Sequence, residues 1–598
     1  MVSSPAAAHQ ATQAQKWARA QQQQEIPPKV SRQLVSEYPR PSAYFAKFIV
    51  SVEDPAKNRL LARGTAQYDR ELDRASVHTT TKIWNEEGSS ELAHEVVGVS
   101  PDAVELEMLR LCGDVIDTAN PVINDNSGSD IIDIIVSGPS ENRIDFLFLG
   151  DGYVAHEREK FISDVHRLTN EMFQASAFRP ILPLVNVRAV FVASKVSGLQ
   201  NPSNGDSAQT AFGMTRLGSH FRGLFTTNKE AARRACLNVG AIAANFPVII
   251  ANDLFYGGLE GEFTTSTASE TSGVIVLRHE LGHNLYDVGE EYDNSDNYFG
   301  VNTCNSIDSV PWKHWITNPS VKQELSALKK MDYSWYDLSK GPYSLSFDSD
   351  GSFSKWTIRV SISGCELQGA VTLTIDGEKQ DWAPIATLDR HFYDIKGSSG
   401  FTVGTHTVVF SETIPRITAA TDSKTPFRQI CSVQILEFGS DDEFHAEVGY
   451  VGIFPTYGLD GTYFRPSGEV CIMRNMIADS FCPVCQEAQL LAMLKKVSLI
   501  DAISATIDLL GKAIFKLLPL PFGQFRPKNQ VVDGEYYQVE YFVDDVEQVD
   551  LNGFFEFDIS SERASAGAWT VGLKFKTPMI RKDDFNYTIS HAAINWTV

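Results

Sequence analysis

Arg278-His279-Glu280-Leu281-Gly282-His283-Asn284-Leu285-Tyr286-Asp287-Val288-Gly289-Glu290-Glu291-Tyr292 carries a His-Glu-x-x-His pattern inside a stretch of helical periodicity. Val274, Leu277, Leu281 and Leu285 recur at i, i+3, i+7 and i+11, one apolar stripe of an amphipathic helix. His279 and His283 each lie two residues past a stripe leucine, about 200° round the helix, so both imidazoles face away from that stripe. One turn apart on one face, two neutral imidazoles can reach a single Zn²⁺ at about 2.0–2.1 Å. Glu280 between them is then placed to take a proton from a water at the metal. The bland alternative is two half-buried histidines and a solvated glutamate. With 13 histidines in 598 residues a chance match is uncommon, which favours the metal.

A third ligand is needed, and spacing narrows the choice. Asp287 stands four residues beyond His283, yet a straight helix carries it about 12 Å along the axis from His279. Gly289 reads as the helix breaker that lets the chain turn back. Glu290 and Glu291 follow at once; Glu290 is the expected ligand and Glu291 its alternative. A His₂-carboxylate set leaves the fourth zinc position open, as catalytic sites require.

At these residues the chain resembles the IgA-peptidase family of zinc metallopeptidases. That family's helix runs His-Glu-x-Gly-His and continues to Asp-Glu-Tyr; here His279-Glu280-Leu281-Gly282-His283 continues to Glu290-Glu291-Tyr292. Phe148-Leu149-Gly150-Asp151-Gly152-Tyr153, Tyr256-Gly257-Gly258, Tyr463-Phe464-Arg465-Pro466, Cys471-Ile472-Met473-Arg474 and Phe481-Cys482-Pro483-Val484-Cys485 look like further segments of it, in order along the chain. The resemblance covers about residues 141–330 and 446–497. The family's Asp is Glu290 here, which keeps the carboxylate on a longer arm. The resemblance implies a metzincin-like α/β/α catalytic domain with one catalytic Zn²⁺, held by His279, His283 and Glu290, with Glu280 as general base. It also implies a protein or peptide substrate and a place outside the cell. Met473 is then a floor under the metal or ordinary core in equal measure. Tyr463 and Arg465 lie in the same family-like stretch, and neither is assigned a catalytic role. The Tyr256-Gly257-Gly258 stretch, read as the end of a strand, would rim the cleft and add a substrate peptide to its edge.

Composition excludes several classes. A formal charge of −23 argues against nucleic acid and anionic membranes as partners. Apolar and charged fractions of 43% and 21% are ordinary for a globular chain. No apolar run is long and charge-free enough to span a bilayer; Leu499 to Phe522 is broken by Asp501, Asp508, Lys512 and Lys516 and reads as an amphipathic helix with a Pro-rich turn. Residues 1–30 lack the apolar core of a secretory signal. The 8 cysteines and the sequons at Asn586 and Asn595 lean weakly toward secretion. Cys365 and Cys431 read as a clamp or as two buried thiols. Cys482-x-x-Cys485 has only Cys471 nearby, so a disulfide from Cys471 to Cys482 or Cys485 outweighs a redox pair or half a zinc knuckle.

These signals predict a multidomain α/β plus all-β chain. Residues 1–37 form a disordered Gln/Ala-rich segment, 38–113 a β-rich domain and 114–140 a linker. The catalytic domain, a mixed sheet with helices packed on it, spans 141–340 and 446–497, interrupted by a β-sandwich at 341–445. An amphipathic helix and linker at 498–523 lead to a C-terminal β-sandwich at 524–598. The predicted activity is zinc-dependent endopeptidase hydrolysis of protein substrates. The alternative is an inactive relative serving as a zinc-stabilised glycan- or protein-binding module, with glycan binding by the β-domains.

Overall fold

The computed structural model describes residues 131–199, 209–216, 223–239, 245–286, 288–295, 297–414 and 426–597, and the backbone of four strands nearer the N-terminus. Those strands, β1 (Ala43–Asp54), β2 (Arg59–Asp69), β3 (Thr80–Asn85) and β4 (Leu92–Gly98), form an antiparallel sheet in the order β2-β1-β4-β3. They belong to a unit spanning 1–128, separate from the unit 129–598. The Gln/Ala-rich segment at 1–37, Cys112 and the loop-like Asn124 to Ser129 lie outside the described residues.

The second unit is built on a mixed five-stranded sheet, ordered β11-β10-β6-β7-β5. Its strands are β5 (Ile131–Ile135), β6 (Ile144–Asp151), β7 (Val185–Val190), β10 (Phe246–Ala251) and β11 (Thr264–Thr267). A two-residue ribbon, β8 (Met214–Thr215) with β9 (Phe225–Thr226), lies between β7 and β10 in the chain. β11, β10, β6 and β7 run parallel, and β5 closes the edge antiparallel to β7. Placing β5 here corrects the expected linker at 114–140. Ile131-Ile132-Asp133-Ile134-Ile135 is a short β-branched apolar run, and Asp133 anchors it through Arg188 at 3.1 Å.

Strand alternation sorts the helices onto two faces. Phe146, Phe148, Val248 and Ile250 pack with α1 (Arg158–Gln174) through Phe161, Val165, Leu168 and Met172, and with α3 (Gly273–Leu285) through Leu277, Leu281 and Leu285. Leu147, Leu149 and Ile249 point the other way, onto Ala232, Ala235 and Cys236 of α2 (Lys229–Val239). Helices must cover both faces of the sheet because its central strands β6 and β10 are apolar on both sides.

After α3 the chain enters two facing sheets. One holds Ser326–Asp332, Lys355–Ser363, His391–Gly397 and Gln429–Phe438; the other holds Tyr343–Ser349, Val371–Ile375 and Gly404–Glu412. Leu345, Phe347, Ile358, Val360, Leu373, Val408, Phe410, Val433 and Ile435 fill the space between them. Asp376 and Gly377, at φ 53° and 84°, make the two-residue turn that an Asp-Gly pair favours. Cys365 and Cys431 are buried free thiols.

The amphipathic helix expected at 498–523 is a β-hairpin, Ile500–Ile507 with Lys512–Pro519. Ala513, Phe515, Leu517 and Pro519 are buried while the residues between them are exposed, a period of two that overrides the helical reading. Asp508 sets the turn, its Oδ1 accepting from the Leu510 and Lys512 amides at 2.9 Å each, with Gly511 at φ 77°. The C-terminal β structure therefore starts at Ile500, pairing this hairpin with Glu556–Ser560 beside a second sheet of Tyr536–Val543, Trp569–Lys576 and Ile589–Ile594. Among the described residues no helix is long and apolar enough to cross a membrane.

Candidate metal centre

α3 is wrapped on almost every side, with Val276, Leu277, His279, Leu281, Gly282, His283 and Leu285 all buried. It stops at Leu285 because Tyr286 turns extended (φ −153°, ψ 157°), four residues ahead of the expected breaker Gly289. Gly289 has a different duty. A Cβ there would sit 2.5 Å from the Phe299 amide and 2.7 Å from its carbonyl, so only glycine lets the 297–299 segment close over the chain. Its amide donates to Asn302 Oδ1 at 2.9 Å, and Asn302 Nδ2 donates back to the Gly289 carbonyl at 2.9 Å. This clamp turns the chain back under α3.

The return brings Glu290 against both histidines. The Nε2 atoms of His279 and His283 are 3.3 Å apart, and Glu290 Oε1 lies 3.4 and 3.2 Å from them. Glu290 Oε2 is 3.3 Å from His279 Nε2 and has no aligned hydrogen-bond donor although buried. The two Nδ1 atoms face the Ile472 and Val288 carbonyls at 3.3 and 3.0 Å. With Nδ1 protonated and donating, each imidazole presents a bare Nε2 to the common point. Three donor atoms thus converge in a buried pocket, and one acid oxygen waits unpartnered. That set fits a zinc ion.

Electrostatics describe the same demand for positive charge. Burial disfavours an ionised Glu290, but His279 and His283 overcome it and hold the acid down at about 2. Burial likewise works against charging the histidines, yet Glu290 raises both, His283 to about 10. Glu280, half-buried, is pushed up to about 7, first by burial and then by Glu290 and Glu260, against the pull of the two histidines. Burial, then the charge of Glu290, keeps the Tyr292 phenol protonated beside His279, ring centroids 6.2 Å apart.

Glycine makes two further approaches possible. Met473 Sδ lies 2.9 Å from where a Cβ on Gly282 would stand, so the methionine fills the space beneath the helix between the two histidines. A Cβ on Gly258 would stand 2.3 Å from Val276 Cγ1, 2.6 Å from the Thr265 carbonyl and 3.5 Å from Glu280 Cγ. The strand expected to end at Tyr256-Gly257-Gly258 ends at Ala251 instead; the 256–259 segment doubles back, and Leu259 bridges Thr265 at the edge of β11. The missing side chain at Gly258 serves helix packing, since a Cβ would collide with backbone that cannot move.

Several residues of the site carried no sequence signal. Asp389, from the β structure after α3, accepts from Ser269 Oγ and Ser272 Oγ at 2.6 Å each and from the Tyr256 amide, tying the start of α3 to the 256–259 segment. Arg390 beside it stacks on Tyr256, its guanidinium 4.7 Å from the ring centroid. Both lie more than 100 residues from the motif with no pattern to mark them, so only folding reveals them. Asn302 was equally silent. Arg465 is fully buried and structural, donating to the Pro455 and Gly468 carbonyls, while Tyr463 stacks on Tyr298 at 4.5 Å.

Glu291, one residue on, does not join this centre. It points to the opposite side, accepting from Asn302 Nδ2 at 3.1 Å and Ser467 Oγ at 2.8 Å, among Cys471, Cys482 and Cys485. The expected disulfide from Cys471 is absent: all three cysteines are free, and Cys471 Sγ stands 3.9 Å from Cys485 Sγ. Glu469 bridges Arg474, Arg359 and Arg465, and Asp293 pairs with Arg474 at 2.6 Å.

Comparison with known proteins adds one informative match. No curated protein sequence matches the chain. Among solved structures, a β-glucuronidase of Ruminococcus gnavus is 9% identical over 43% of this chain and 35% of its own, with TM-score 0.11. A GH2 β-galacturonidase of Eisenbergiella tayi, bound to galacturonate, is 13% identical over 52% and 41%, with TM-score 0.13. This chain spans well under half the length of either, and likeness at that level carries no argument. The family model described as IgA Peptidase M64 matches residues 132–341, which begin in β5 and include α3, His279, Glu280, His283 and Glu290. That match identifies residues 132–341, about a third of the chain, as similar to the IgA-peptidase family of metallopeptidases.

Proposed function

We propose that this protein is a zinc-dependent metallo-endopeptidase hydrolysing peptide bonds of protein substrates, with His279, His283 and Glu290 as metal ligands and Glu280 as general base. The observation that carries this reading is the convergence of two bare Nε2 atoms and Glu290 Oε1 within 3.4 Å of one another, with the buried Glu290 Oε2 unpartnered beside them. Bound there, zinc supplies Lewis acidity, polarising the scissile carbonyl and acidifying an adjacent water.

The chain's own groups do the rest. Glu280 takes a proton at its carboxylate and passes it to the departing amine nitrogen. A carboxyl poised near neutrality, as burial makes this one, both accepts and returns a proton at working pH. The Ile472 and Val288 carbonyls hold the imidazoles in one tautomer and one orientation.

Glu280→Gln tests the assignment. It keeps size and hydrogen bonding but cannot take the proton. The zinc content should be unchanged, while cleavage of an unfolded protein substrate falls by about 10²-fold or more. A variant that cleaves as fast as the parent rejects Glu280 as the base.

A further inference from the structure

We propose that the protein holds a second, structural zinc ion, bound by Cys471, Cys482, Cys485 and Glu291. The three Sγ atoms and a Glu291 oxygen all lie within 4.8 Å of one another, and all four residues are fully buried. Cys485 Sγ and Cys482 Sγ stand 3.4 and 4.0 Å from Glu291 Oε1. Tetrahedral zinc with Zn–S of about 2.3 Å sets its sulfurs about 3.8 Å apart, and Cys471 and Cys485 are 3.9 Å apart. The same distance is nearly twice a disulfide bond, and three thiols cannot all pair.

Local structure prepares the donors. Cys482 caps α4 (Pro483–Leu494), and Cys485 lies in its first turn, so a Cys-x-x-Cys pair opens a helix. The Cys482 amide points at Cys471 Sγ at 3.4 Å and the Cys485 amide at Cys482 Sγ at 3.5 Å. An amide donor and the helix N-terminus both favour the thiolate at Cys482. Ser467 and Asn302 fix the orientation of the Glu291 carboxylate, leaving Oε1 toward the sulfurs.

Charge supplies the reason for an ion. Among the described residues no Lys, Arg or His side chain makes an ion pair with Glu291, although the acid is completely buried. An isolated carboxylate in such a place is costly, and three thiols beside it offer no compensation. A divalent cation does, releasing the thiol protons as it binds. The sequence showed three of these donors; the fourth comes from the far side of an inserted β structure.

The consequence rests on the reading of Glu290 given above. Glu290 and Glu291 are consecutive, so the two centres share one stretch of backbone, and the Glu291 amide donates to the Met473 carbonyl at 3.0 Å. The second ion pins the late 471–485 segment to the chain that presents Glu290.

The test uses the full chain purified under reducing conditions, comparing the parent with a His279→Ala/His283→Ala double variant. Metal analysis should find about two zinc ions per chain in the parent and about one in the variant. Zinc-edge X-ray absorption of the variant should show a sulfur-rich shell at about 2.3 Å. Because the double variant can misfold, the parent loaded with Co²⁺ is measured as well and should show a strong near-ultraviolet thiolate-to-metal band that Cys482→Ser diminishes. A zinc signal without sulfur neighbours overturns the second site and leaves the His₂-Glu centre intact. A disulfide among the three cysteines, found by mass spectrometry of the untreated protein, overturns it too.

Discussion

Gly258 shows how much one side chain decides here. A methyl group there would meet the Thr265 carbonyl at 2.6 Å and Val276 at 2.3 Å, against backbone that cannot swing aside. Gly258→Ala should therefore cost about 1–3 kcal/mol of stability, visible as a lower melting temperature, and should displace Glu280 enough to reduce turnover. A variant as stable and active as the parent would refute the close packing. Glu290 and Glu291 make the sharpest pair. Glu290→Ala should empty the His279/His283 centre, whereas Glu291→Ala should leave zinc on those two imidazoles; the nitrogen shell in zinc-edge X-ray absorption, lost in the first variant and kept in the second, distinguishes them, and the reverse result would exchange their roles. The motif residues were legible because a helix places i and i+4 on one face whatever the rest of the fold does. Glu290 over Glu291 was legible only in part. The turn depends on the Asn302 clamp and the bare Gly289, neither of which spacing alone reveals.

At the scale of elements, α3 is held at its start by Asp389, which gathers two serine hydroxyls and an amide. Asp389→Ala leaves those donors buried without a partner, at about 1–3 kcal/mol each for the worst served; activity should fall with stability, read by melting temperature and turnover together. Within the inserted β structure, His406 Nδ1 faces Asp376 Oδ2 at 2.6 Å. Burial opposes charging His406, but the bonds to Asp376 and to the Thr402 carbonyl raise its pKa; burial opposes charging Asp376, and His406 lowers it. The histidine's contribution is complete below about 6.5 and fades as pH rises through its raised folded value. The aspartate's is complete above about 3.9 and fades as pH falls through its lowered value. His406→Ala should thus destabilise more at pH 5.5 than at pH 8.5, by about 1 kcal/mol or less because Asp376 is 44% exposed; equal losses at both pH values would contradict the pairing. Period-two runs such as Val371–Ile375 were readable as strands. The hairpin at 500–519 was not, since its lysines and aspartates mimic the polar face of a helix until the buried alternation is seen.

At the scale of the whole unit, residues that share no sequence neighbourhood share one buried charge cluster. Glu469 faces Arg474, Arg359 and Arg465, drawing together the 469–474 segment, the strand Lys355–Ser363 and the strand Thr462–Arg465. Burial would raise Glu469, yet the three guanidiniums hold it down at about 2. Glu469→Ala strands Arg465, while Arg474 keeps Asp293 and Arg359 keeps Asp394, and should cost about 3–5 kcal/mol, measured by chemical denaturation; a neutral substitution would show the cluster to be dispensable. The order of layers was foreseeable from alternating strand and helix signals, because parallel apolar strands need cover on both faces. Long-range closure by Asp389, Arg390 and Glu469 was not, since polar contacts across 100 residues leave no periodic trace. The account stands on the His₂-Glu centre, and zinc-edge anomalous diffraction from crystals of the zinc-loaded protein tests it most directly. The peak should lie within about 2.0–2.2 Å of His279 Nε2, His283 Nε2 and a Glu290 oxygen; a fully loaded crystal with no peak between those atoms would contradict it.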